Sequence, residues 1–171
     1  MLPLQALPLL AFPVLLVVAA LKDVISFTIP NWISGALLLT FPVAALATGL
    51  PWGEAAQHLA VGGVALLIGM GLFALNWMGG GDAKLLSASA LWLGLSGAPS
   101  YLLWTALAGG VLTLGLVSAR RAYAVLPIPA GPRWVGTLLE PKGDVPYGVA
   151  LAVGALVAFP SSALFQAAFG N

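Results

Sequence analysis

The chain has 171 residues, of which 61% are hydrophobic and 6% charged, with a formal net charge of +1 and no cysteine. An ordinary soluble domain carries about 25% charged residues, so a soluble globular protein is excluded. With no basic patch to neutralise phosphates a nucleic-acid partner is excluded too, and without cysteine there is no disulfide, thiolate metal site or thiol nucleophile.

Uncharged runs cover 1–21, 24–53, 55–81, 85–119 and 145–171, each at or above the roughly 20 residues that cross a bilayer as a helix. Residues 1–21 lack the positive start of a signal peptide and contain Pro3, Pro8 and Pro13, so they read as a retained first helix. The run 24–53 is too long for one span and breaks at Pro30-Asn31, where the residue before proline leaves helical geometry. Glu54 follows in a loop, with His58 one helical turn later, and the two read as a solvated interfacial pair. The run 85–119 would extend about 52 Å as a single helix against a hydrocarbon core of about 30 Å. Its break is the turn-forming cluster Gly94-Leu95-Ser96-Gly97-Ala98-Pro99-Ser100.

These breaks predict an all-α polytopic membrane protein of about six transmembrane helices, at approximately 4–21, 32–50, 57–77, 83–95, 101–119 and 147–168. Lys22 follows the first span, Lys84 the third, and Arg120, Arg121, Arg133 and Lys142 the fifth. All six basic residues fall on one face, which by the positive-inside rule is cytoplasmic and puts both termini outside. The polar segment 120–146, with Leu126-Pro127-Ile128-Pro129-Ala130-Gly131-Pro132 at its centre, is expected as a cytoplasmic loop near the interface, with Trp134, Leu138 and Leu139 at headgroup level.

Carboxylates near hydrocarbon are costly, so each of the five acids is a functional candidate. Glu140 and Asp144 sit among Arg133 and Lys142, where loose surface pairing accounts for them. Asp23 and Asp82 differ: odd numbers of spans precede both, so they share the cytoplasmic boundary although 59 positions separate them. Two carboxylates that approach each other share a proton, one acting as base on a water while the other donates to a carbonyl oxygen. That is aspartic-protease chemistry. Three glycines, Gly79-Gly80-Gly81, precede Asp82, and glycine permits close backbone approach and unusual dihedrals.

Lys22-Asp23 with Ile29-Pro30-Asn31-Trp32, then Gly79-Gly80-Gly81-Asp82-Ala83-Lys84, then Val145-Pro146-Tyr147-Gly148-Val149-Ala150 together resemble the signatures of the type IV prepilin peptidases, in the short single-domain form associated with Flp tight-adherence pili. The resemblance spans essentially the whole chain. It implies a membrane-embedded aspartic endopeptidase of the bacterial inner membrane, active at the cytoplasmic face, that removes the leader of a prepilin. Asp23 and Asp82 would be catalytic, and Gly79, Gly81, Lys84, Pro30 and Asn31 would belong to the motifs beside the substrate. Its partners would be the prepilin helix and the bilayer, with no cofactor and no metal. The basic residues that often follow the first aspartate are replaced here by Val24-Ile25-Ser26-Phe27-Thr28. The amino-terminal domain with paired Cys motifs found in bifunctional members is not expected, so 1–171 reads as one peptidase-like domain without an amino-terminal methyltransferase domain. Two other classes fit a small polytopic protein with paired acids: a proton-coupled transporter or channel subunit, and a non-catalytic pilus assembly subunit.

Small-xxx-small spacings at Ala65/Gly69, Ala106/Gly110, Ala150/Gly154 and Gly154/Ala158 read as packing within the bundle. The aromatics Trp32, Trp52, Trp77, Tyr101, Trp134 and Tyr147 read as interfacial residues at span ends.

Overall fold

A computed structural model describes residues 4–125, 131–141 and 143–170. The proline-rich centre of the polar segment at 126–130, Lys142 and Asn171 lie outside the described residues. All regular structure among the described residues is helical. A 3-10 turn at Leu4–Leu10 leads into α1 (Ala11–Ser26), followed by α2 (Asn31–Ala47), α3 (Trp52–Ala74), α4 (Gly80–Val125), α5 (Arg133–Leu138), α6 (Tyr147–Ala158) and α7 (Ala163–Phe169). Three prolines sit where a missing N–H costs least, Pro13 in the opening turn of α1 and Pro30 and Pro51 immediately before α2 and α3, whereas Pro42 lies inside α2.

The stretches Ala6–Ser26, Trp52–Ala74 and Gly80–Val125 are long and apolar enough to cross a bilayer, and α6 with α7, bent by 49°, makes a fourth if taken as one broken span. Each expected segment is helical over most of its length, but the divisions shift: 4–10 is a 3-10 helix, 48–50 and 75–77 fall outside α2 and α3, and the last segment breaks at Ser162. The largest shift is in α4, which is interrupted by a single residue, Gly94, at φ 61° and ψ −169°. That conformation is open essentially to glycine alone. The rest of the predicted turn cluster is helical and begins the second arm of α4, with Pro99 inside it.

Gly94 is the tip of a helical hairpin. The first arm, 80–93, is antiparallel to α3: a Cβ on Gly62 would touch Leu91, and one on Gly69 would touch Ala83. The second arm, 95–125, is antiparallel to α6, with Gly97 near Ala158, Gly154 against Thr105 and Gly109 against Tyr147. Residues 83–94 are buried at every position except Lys84, so the first arm is the centre of the bundle. Trp92 there stacks on Phe12 at 5.1 Å, and its indole N–H donates to the Leu37 carbonyl at 2.8 Å.

The expected pairing of His58 with Glu54 at the surface is overturned. His58 is 1% exposed while Glu54 faces outward. The His58 Nδ1–H donates to the Leu91 carbonyl at 2.7 Å, a group whose helical partner would be the amide of residue 95, beyond the Gly94 break. The break frees a buried acceptor, and the histidine satisfies it.

Candidate active site

Asp23 arrives at the site on a buried stripe. Phe12, Leu16, Ala19 and Asp23 are the buried residues of α1, spaced at four, three and four positions, so the aspartate occupies the place where the next core residue would fall. It is 5% exposed. One turn later α1 stops at Phe27, whose φ is 51° and whose N–H donates to the Asp23 carbonyl at 2.8 Å. Asp82 stands in the first turn of α4, half-buried, above the central arm.

Both carboxylates line one cleft of about 860 Å³, with walls from Phe27, Leu72, Phe73, Asn76, Trp77, Met78, Gly79, Thr113, Asp144, Val145 and Tyr147. Residues far apart in the chain therefore share one cleft. Asp23 Oδ2 accepts a hydrogen bond from the Gly148 N–H at 2.7 Å, at the amino-terminal end of α6, where amides are unclaimed by the helix. The site thus draws on α1, α3, both arms of α4 and the start of α6.

The motif residues around the dyad are also brought together. Lys84 Nζ donates to Asn31 Oδ1 at 2.8 Å, tying the start of α2 to the start of α4. Pro30 precedes that joint as the residue before α2. Gly79, Gly80 and Gly81 serve close packing rather than a special dihedral angle, a correction to half of the expectation: among the described glycines only Gly49 and Gly94 have positive φ. A Cβ on Gly79 would lie 3.0 Å from Asp82 Oδ2, one on Gly80 3.3 Å from the Phe73 ring, and one on Gly81 3.1 Å from Ile29 Cβ.

Among the cleft residues that escaped the sequence reasoning, four are informative. Asp144, taken as a loosely paired surface acid, lines the cleft, and Trp77, taken as an interfacial anchor, forms its wall. Phe27 and Asn76 are the two non-glycine residues with left-handed φ among those described, at 51° and 58°, and both border the cleft. Such conformations in non-glycine residues cluster at functional sites. Among the described residues no group of three His, Cys, Asp or Glu is arranged to hold a metal ion.

Fold and site together define a polytopic helical membrane protein with two acids converging in a cleft at one end of the bundle. The profile of the Type IV leader peptidase family matches residues 10–114, and the chain belongs to that family. It is 33% identical over 151 residues to a protein named prepilin leader peptidase/N-methyltransferase from Aeromonas salmonicida, a match covering 68% of this chain and 52% of that one. The protein of the same name from Aeromonas hydrophila matches with the same identity and coverage. The chain spans about half the length of these curated relatives. No solved structure gives a significant match.

Proposed function

We propose that the protein is an aspartic endopeptidase that hydrolyses one peptide bond at the leader junction of a membrane-anchored prepilin, of the Flp type, with Asp23 and Asp82 as its catalytic pair. The observation that carries this is the convergence of two carboxylates 59 positions apart on one cleft. One carboxylate takes a proton from water as its oxygen attacks the scissile carbonyl carbon, and the other, protonated, donates to the carbonyl oxygen. The tetrahedral intermediate collapses as the C–N bond breaks and the amine leaves with a proton. Gly79, Gly81, Pro30, Asn31 and Lys84 hold the two aspartates in register and leave room for the substrate backbone. The apolar helix of the prepilin lies against the bundle within the bilayer, and its leader junction enters the cleft from the cytoplasmic side of the bacterial inner membrane. The relatives' names also print an N-methyltransferase; only the peptidase half is proposed for residues 1–171.

The test is incubation of the purified protein in liposomes with candidate prepilins, followed by mass measurement of the products. Asp23→Asn and Asp82→Asn should each abolish leader removal while inserting normally, because an amide cannot exchange the proton. Near-normal cleavage by either variant would refute the mechanism. Absence of cleavage by the wild type on every prepilin would favour a transporter or assembly subunit.

A further inference from the structure

Arg120 is a cation at the far end of the second arm of α4, yet it is only 9% exposed, and the site described above makes no use of it. Its guanidinium is satisfied by backbone. Nε donates to the Leu138 carbonyl at 3.0 Å and Nη2 to the Asp144 carbonyl at 2.7 Å. The first acceptor lies at the carboxyl end of α5, where free helix carbonyls favour a cation. The second opens the five-residue run that ends on Gly148. Gly143 turns the chain under the guanidinium, its N–H donating to the Glu140 carbonyl at 3.0 Å. A Cβ there would stand 3.2 Å from Arg120 Nη2 and 3.0 Å from the Thr137 carbonyl oxygen.

Asp144 and Val145 form a wall of the cleft, Pro146 is fully buried, Tyr147 abuts Gly109 on the second arm of α4, and Gly148 donates to Asp23. With one end held by Arg120 and proline fixing φ in the middle, the strap has little freedom in where it delivers the Gly148 N–H. We infer that Arg120 is a positioning residue for the proposed proteolysis, clamping the end of α5 and the strap 143–148 to α4 so that the Gly148 amide is held on the Asp23 carboxylate. This rests on the peptidase reading and extends it to a residue outside the cleft. The clamp links the two halves of the dyad, since the strap touches Asp23 on α1 while its anchor belongs to the hairpin that carries Asp82.

The test compares Arg120→Gln, Arg120→Lys and Gly143→Ala with the wild type in proteoliposomes, using a purified prepilin retaining its leader. Leader-removal kinetics, thermal unfolding and hydrogen exchange of residues 143–149 are read on each. Displacing a reacting group by a fraction of an ångström to 1 Å costs about 10- to 100-fold in rate, so Arg120→Gln should lower kcat at least about 10-fold with KM changed less than about threefold. The amides of 143–149 should exchange faster. Arg120→Lys, which keeps the charge but not the two-donor fork, should recover part of kcat. Gly143→Ala, which crowds the clamp from the other side, should reproduce the kcat loss if Arg120→Gln fails to fold. The inference is overturned if the folded fraction of Arg120→Gln, or of Gly143→Ala in its place, cleaves at the wild-type kcat, or if protection at 143–149 is unchanged. If the wild type cleaves no prepilin, the peptidase reading fails, and the exchange measurement alone decides the clamp.

Discussion

Replacing Gly148 by alanine asks how tightly the dyad is built. A Cβ there would lie 2.8 Å from Asp23 Oδ2 and 2.7 Å from Ile29 Cδ1, against an ordinary contact that begins near 3.4 Å. The shortfall is about 0.6 Å against the carboxylate, for a methyl group inserted into a packed site. The Ile29 methyl can rotate away. The carboxylate cannot retreat without lengthening its 2.7 Å hydrogen bond to the Gly148 N–H. Overpacking of this kind costs about 1–3 kcal/mol of stability. Moving a catalytic group by over half an ångström lowers the rate about 10- to 100-fold, or about 1.4–2.7 kcal/mol in the barrier. Single-turnover leader cleavage in proteoliposomes, scored by product mass and normalised to folded protein, measures the second effect apart from the first. Gly35→Ala is the control, since a Cβ there meets nothing within 4 Å and alanine favours the α2 helix. If Gly148→Ala cleaves at the rate of Gly35→Ala, the amide at the start of α6 does not hold Asp23, and the assembly of the site from that helix is wrong.

Gly81→Val should cut cleavage sharply, because its Cβ already lies 3.1 Å from Ile29 Cβ and the branches add to that; Gly80→Ala should be mild, since it meets only the exposed Phe73 ring. Lys84→Met and Asn31→Ala should each cost less than about 1 kcal/mol in unfolding, as exposed pairs do, yet slow cleavage severalfold; the double variant should be no slower than the worse single one. Gly94→Ala combines a glycine-only backbone conformation, about 1–3 kcal/mol, with a Cβ 2.5 Å from His58 Nε2, so its thermal unfolding in detergent should fall by several degrees; an unchanged midpoint would remove Gly94 from the hairpin tip. A reporter fused after Arg121 should report the cytoplasm and one after Asn171 the outside; the opposite signals would reverse the proposed orientation.

Much of the helical architecture was legible because lipid forbids the alternatives: long uncharged runs must be helices, and prolines and glycines mark several of their interruptions. The buried place of Asp23 was readable in principle from the spacing Phe12, Leu16, Ala19, Asp23. Other features left no residue-type signal. The Gly148 donor is a backbone N–H, which any residue type but proline supplies, so the signature that contains Gly148 gave no sign of its bond to Asp23. His58 beside Glu54 in sequence gives a polar pair; its burial depends on the carbonyl that the Gly94 break releases from a helix formed 33 positions later. The left-handed Phe27 and Asn76 have side chains that say nothing of their backbone angles.

The aspartates belong to separate helices, and within a bilayer no hydrophobic force draws one apolar helix to another, so their meeting depends on close packing. The contacts that permit it are small residues placed along the helices that bear the site. Gly69 meets Ala83, the residue immediately after Asp82, and thereby sets how far Asp82 stands along α3, whose last turn and following loop supply the cleft wall from Leu72 to Gly79. Gly109 meets Tyr147, the residue immediately before Gly148, and sets where α6 begins relative to the hairpin. Each packing contact is thus one residue from a group that the dyad uses. Enlarging Gly69 to alanine would press a Cβ to 3.1 Å from Ala83 Cβ and 3.2 Å from its Cα, backbone that cannot rotate aside, so the displacement would pass along the helix to the neighbouring carboxylate. Packing and the proposed catalysis are not separable in this region, and substitutions that look purely structural should register in the cleavage rate before they register in unfolding.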